Sequence, residues 1–100
     1  MLLDEDKITY TDEQLLETFK RFNQVHASTL KIFKAIGEKN GGTATYELQS
    51  EGVGDYVLAK IIAALLLSGL IRREENRTEK RCSLTSDGKR LYELLKQNNI

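Results

Sequence analysis

Hydrophobic residues in this chain recur with helical spacing in most stretches and with strand spacing in one. Between residues 55 and 68, Leu58, Ile61, Ile62, Leu65 and Leu66 fall at i, i+3, i+4, i+7 and i+8, which collects apolar side chains on one face of an amphipathic helix. Residues 12–25 carry Leu15, Leu16, Phe19 and Phe22, and a final helix opening at Thr85 carries Leu91, Leu94 and Leu95. A helix over residues 28–39 is expected to bury Leu30, Phe33 and Ile36 with Ile32 on its flank. A short helical segment, residues 46–50, precedes a turn at Gly52-Val53-Gly54. After Gly69 the period changes. Leu70 and Ile71 are apolar, residues 74–79 form a charged turn, and Cys82 and Leu84 alternate with polar neighbours, the pattern of a β-hairpin with a solvated tip.

Helix boundaries are marked by residues that satisfy orphan backbone groups. Thr11 and Gln14 have the spacing of a capping box, with Tyr10 and Leu15 in the staple positions. Asp12 and Glu13 then suit the positive end of the helix and are not read as an acid/base pair. Gly54 or Asp55 caps the helix over residues 55–68, and Gly69 ends it in a left-handed conformation that costs glycine little. Gly52-Val53-Gly54 is not a dinucleotide loop, because no strand leads into it and the third glycine position is Val57.

Three short motifs in this order carry a resemblance: Glu47-Leu48 before the turn, Gly69-Leu70-Ile71 where the helix meets the hairpin, and Ser83-Leu84-Thr85 with Gly88 at the last helix. Over residues 30–96 the chain resembles a winged helix-turn-helix domain close to the MarR and PadR regulators and their small archaeal relatives. The resemblance implies a mainly α fold with a small β-hairpin wing (α+β), an extra N-terminal helix and a C-terminal helix. Residues 1–10 would be an acidic arm and residues 11–100 a single domain with its core at about 28–97. It further implies that the recognition helix, residues 55–68, enters the major groove of double-stranded DNA and that the wing, residues 72–83, meets the minor groove or backbone. Groove-facing residues would be Asp55, Tyr56, Val57, Ala59, Lys60 and Ala63. An N-terminal helix that packs on the C-terminal helix of a second subunit is a feature of MarR-like proteins, so Leu15, Phe19 and Phe22 with Leu91, Leu94 and Leu95 are the expected homodimer surface.

Charge changes this picture locally. The chain of 100 residues has 15 lysines and arginines against 15 aspartates and glutamates, so there is no global basic field of the kind that drives nonspecific nucleic-acid binding. Residues 1–17 carry Asp4, Glu5, Asp6, Asp12, Glu13 and Glu17 against Lys7 alone. The wing carries Arg72, Arg73, Arg77, Lys80 and Arg81 against Glu74, Glu75 and Glu79. Arg77 at the tip has the chemistry to enter a minor groove, and the other four suit phosphates. Within the recognition helix only Lys60 is cationic; Tyr56 can donate a hydrogen bond, and Val57 and Ala59 suit thymine methyls.

Catalytic and metal chemistry find no support. His26 is the single histidine and Cys82 the single cysteine, and neither sits in a spacing that completes a metal site or a nucleophile and base. Cys82 is read as a core thiol and His26 as a surface or helix-start residue. No cofactor is implied. Apolar runs are too short to span a bilayer and the N-terminus lacks a signal-peptide pattern, so a cytoplasmic protein is expected. The reading is a sequence-specific, homodimeric DNA-binding transcriptional regulator. The alternative is a winged-helix protein-interaction module of a transcription or replication complex, using the apolar face of the recognition helix.

Overall fold

The structure is a computed structural model that describes residues 10–38, 43–44, 48, 52–75 and 80–99. Helix α1 (Asp12–Val25) begins at the capping box read from the sequence. Thr11 Oγ1 accepts from the Gln14 amide, and the Gln14 side chain accepts from the Thr11 amide. Helix α2 (Thr29–Gly37) follows almost at once, because His26 closes α1 by donating its amide to Phe22 O and then accepts at its carbonyl from both the amide and the hydroxyl of Thr29. That places the lone histidine in the link between two helices.

Strand β1 (Thr43–Ala44), helix α3 (Asp55–Leu67), strands β2 (Ile71–Glu75) and β3 (Lys80–Leu84), and helix α4 (Ser86–Gln97) complete the described elements. The strands form one antiparallel sheet in the order β1-β3-β2. Ile71 stands opposite Leu84, and Arg73 opposite Cys82. The described chain is mainly helical with a small antiparallel hairpin, as expected. Leu48 is helical and fully buried, whereas the rest of residues 45–51, the Asn40-Gly41-Gly42 stop, the acidic arm over residues 1–9 and the tip of the hairpin lie outside the described residues.

Helix α2 corrects one expectation. Ile32, assigned to the flank, is fully buried with Phe33 and Ile36, and Leu30 is the half-buried residue. The reason is crowding: α2 is packed by α1, α3, α4 and β3, so its buried arc is wider than one amphipathic stripe. Phe33 sits between Phe19 and Tyr92, with ring centroids 5.5 and 6.5 Å away, distances at which tilted aromatic pairs attract. Tyr92 lies on Gly37 so closely that a Cβ there would come within 2.6 Å of its ring.

Helix α3 ends in a complete Schellman turn. Gly69 has φ 78°, its amide donates to Leu66 O, and the Leu70 amide donates to Leu65 O, with Leu65 and Leu70 both buried. The same turn anchors the start of α4. The Thr85 amide donates to Leu70 O and its hydroxyl to Gly69 O at 2.6 Å, while Thr85 Oγ1 also accepts from the Gly88 amide as N-cap. Gly88 packs directly on this turn: a Cβ at that position would lie 2.0 Å from Leu70 O. Two of the three sequence motifs that carried the resemblance are therefore one physical joint, which fixes the angle between α3, the hairpin and α4.

Candidate nucleic-acid interface

Helix α3 turns Leu58, Ile61, Ile62 and Leu65 into the core, leaving Tyr56, Lys60, Ala63 and Leu67 on the opposite face at i, i+4, i+7 and i+11. Tyr56 is 73% exposed and Leu67 87%. Lys60 is the single cation of α3, and its ammonium lies 4.3 Å from the centroid of the Tyr56 ring, within cation–π range. Ala59 is exposed beside them. Val57 differs from its neighbours: it is half-buried and packs against the edge of the core, so it is a flank residue of α3 rather than part of the outward face.

Strand alternation divides the wing cations. Side chains at successive positions point to opposite sides of a sheet, so Arg73, opposite Cys82, shares the face that turns toward α3. There it lines a groove with Asp55, Ala59, Ala63 and Leu66. Arg72 points the other way. Its Nε donates to Ser83 Oγ at 3.3 Å, and it borders a separate groove with Lys89, Tyr92 and Lys96. Arg81, opposite Glu74, shares the side of Arg72. The basic wing is therefore two faces and not one patch, and among the described wing side chains Arg73 is the cation that lines a groove with α3. Lys80 is placed by strand register alone, opposite Glu75, and Arg77 lies outside the described residues.

The residues expected at a homodimer surface sit mostly inside the chain. Leu15, Phe19, Leu91 and Leu95 are buried in the core where α1 packs on α4 of the same chain. Phe22 and Leu94 are half-buried at its rim. What α1 and α4 offer outward is a groove lined by Leu16, Lys20, Asn23 and Gln24 over the edges of Phe19 and Leu95, with Val25 exposed at the end of α1. Helical periodicity identified the apolar stripe; it does not distinguish an intrachain cover from a second subunit.

Several long-range positioning contacts carried no signal in the sequence. Tyr10 donates its hydroxyl to Ser68 O at 2.6 Å, tying the entry of α1 to the end of α3. Arg90 bridges Asp12 Oδ1 at 2.8 Å and the buried Asp87 Oδ1 at 3.0 Å, and Asp87 Oδ2 has no hydrogen-bond partner. Cys82 is fully buried, and burial pushes its thiol up from the ordinary value while the Arg73 guanidinium opposes that shift. A protonated core thiol is a poor nucleophile. Among the described residues, no three histidine, cysteine, aspartate or glutamate side chains gather as a metal site would require, and no helix is long and apolar enough to cross a membrane.

Among solved structures the chain is similar to an ArsR-like transcriptional regulator from Rhodococcus sp. RHA1, with a TM-score of 0.61 over 85% of this chain and 79% of that one. The fold is a winged helix. At 16% identity the likeness concerns the path of the backbone. No protein-family model and no curated protein matches the sequence.

Proposed function

We propose that this protein binds double-stranded DNA as a transcriptional regulator, with α3 in the major groove and the wing against the flanking backbone and minor groove. The carrying observation is the outward face of α3, where Tyr56, Ala59, Lys60 and Ala63 project free of the core beside Arg73 of the wing root. A convex helix about 10–12 Å across fits a B-DNA major groove. The Rhodococcus structure supports the reading because a winged helix of similar extent serves there as a transcriptional regulator. Kinship with the MarR and PadR branch remains part of the proposal, resting on the motif order in the sequence.

The protein acts as a homodimer in this reading. With four of the six apolar residues turned inward, the contact between subunits uses the rim of the α1–α4 pair, Leu16, Phe22 and Leu94, all half-buried. A two-fold arrangement would present two α3 helices to half-sites about one helical turn apart.

Fluorescence anisotropy against genomic duplex fragments over a salt series tests the proposal. Specific fragments are expected to bind more tightly than random duplex, with affinity falling as salt rises. Wild-type protein that prefers no fragment and loses its weak binding near physiological salt would overturn it. A protein-interaction module is the second reading, favoured by the exposure of Tyr56 and Leu67 and by the single cation of α3.

A further inference from the structure

The groove-facing surface of α3 is built from methyl groups where a base-reading helix needs hydrogen-bonding side chains. Ala59 and Ala63 are exposed one turn apart, and Tyr56 and Leu67 are exposed toward the two ends of the helix. From Asp55 to Leu67 there is no arginine, asparagine, glutamine, serine or threonine, so α3 lacks the amide pair that identifies adenine, and Lys60 is the one cationic side chain on it that could donate to guanine. Thymine is the base that presents a methyl group in the major groove. A short, apolar, close-approaching side chain such as alanine is the complement of that methyl.

Two cations flank the methyl strip. Lys60 is drawn over the Tyr56 ring, and Arg73 reaches the opposite flank of α3 beside Ala59 and Ala63. The apolar strip thus has a cation on each side, Lys60 on one and Arg73 on the other, with Asp55 at the N-terminal end of the Arg73 groove; a major groove likewise has a phosphate backbone along each edge. An acidic amphipathic peptide would also satisfy the charges. The small residues at the centre, however, leave it little side-chain surface to grip compared with the large anchors typical of protein hot spots.

We propose that α3 recognises thymine methyl groups, and that the preferred ligand is an A·T-rich duplex read through Ala59 and Ala63. This rests on the DNA-binding reading above. Binding is measured by anisotropy at low salt on four alternating duplexes: dA-dT, dA-dU, dG-dC, and dG with 5-methylcytosine. Uracil lacks only the methyl of thymine, and 5-methylcytosine restores a methyl at the same place in the groove.

The dA-dT duplex is expected to bind about four-fold more tightly than dA-dU for each methyl contact made, and the 5-methylcytosine duplex to gain over dG-dC. Ala59→Ser and Ala63→Ser, both on the exposed face, should each lower the thymine-to-uracil ratio with an unchanged circular dichroism spectrum. Equal affinity for dA-dT and dA-dU, with a normal salt dependence, would overturn methyl recognition and leave DNA binding standing. Failure to bind any duplex at low salt removes the DNA reading and this inference with it, and returns the strip to a protein partner.

Discussion

The hydroxyl of Tyr10 donates a 2.6 Å hydrogen bond to the carbonyl oxygen of Ser68, joining the residue before the N-cap of α1 to the C-cap of α3. The bond spans 58 positions of sequence, and it braces the C-terminal end of α3 against the entry of α1. Tyr10→Phe should lower the unfolding free energy by about 1 kcal/mol, since a carbonyl loses its partner without loss of the ring. Urea denaturation followed by circular dichroism measures this. A midpoint identical to wild type would show that Ser68 O finds an equivalent partner.

Gly88 and Gly54 give a paired test of the joint between α3, the wing and α4. Gly88→Ala drives a methyl into the Leu70 carbonyl, whereas a Cβ at Gly54 meets nothing within 4 Å. The first substitution should cost about 3 kcal/mol and the second about 1 kcal/mol or less, the loss of a glycine N-cap. Thermal melts that rank the two variants in the reverse order would contradict the packing described for Thr85, Leu70 and Gly88.

Cys82 links stability to alkaline pH. Its thiol is raised in the folded chain by burial, so the unfolded chain releases this proton at lower pH than the folded one. The contribution is therefore fully present below the ordinary thiol value and is lost as pH rises from there through the raised folded value. Wild type should lose more stability than Cys82→Ala across that window, as read from denaturation midpoints at successive pH values. Parallel pH profiles for the two proteins would exclude the linkage. In the same experiment, a thiol reagent at neutral pH should label native Cys82 slowly and unfolded chain rapidly.

The homodimer proposal is tested at the rim, because the centre of the stripe is needed for folding. Phe22→Glu with Leu94→Glu should give a folded monomer by sedimentation and circular dichroism, whereas Leu15→Glu or Leu91→Glu should unfold the chain by burying an unpaired charge. A wild-type protein that sediments as a monomer at micromolar concentration would end the homodimer proposal.

Arg73 and Arg72 are neighbours in sequence with unequal expected effects. Arg73 lies beside α3, and Arg72 borders the groove of Tyr92 and Lys96. Arg73→Ala should weaken duplex binding at low salt and reduce the salt slope by about one, and Arg72→Ala should change it much less. Equal losses would mean that the wing is engaged from both faces.

Much of the architecture was legible because it rests on local rules. The Thr11–Gln14 box, the Gly69 stop and the Thr85 cap are set by hydrogen bonds within a few residues, and period-2 alternation placed Cys82 and Leu84 in the core. The misassigned Ile32 and Leu30 show where periodicity stops. A helix surrounded on several sides buries more than one stripe, and its neighbours are not written in its own sequence. The same limit separates Arg73 from Arg72, since composition counts both as wing cations while the register with Cys82 and Ser83 sends them to opposite faces. Tyr10–Ser68 and Asp12–Arg90 join distant positions through geometry that spacing alone does not encode.

The pairing of α1 with α4 also governs the order in which the chain can fold. Leu15 and Phe19 are covered by a helix that ends at Gln97, and Asp12 meets Arg90 across 78 positions. Contacts of such sequence separation form only after a large loop has closed. During synthesis at ~5–20 residues per second, the leucine and phenylalanine stripe of α1 leaves the ribosome on the order of ten seconds before its cover exists. For that interval Phe19 has only Phe33 of α2 to pack against, and the rest of the stripe is covered only when Leu91 and Leu95 arrive.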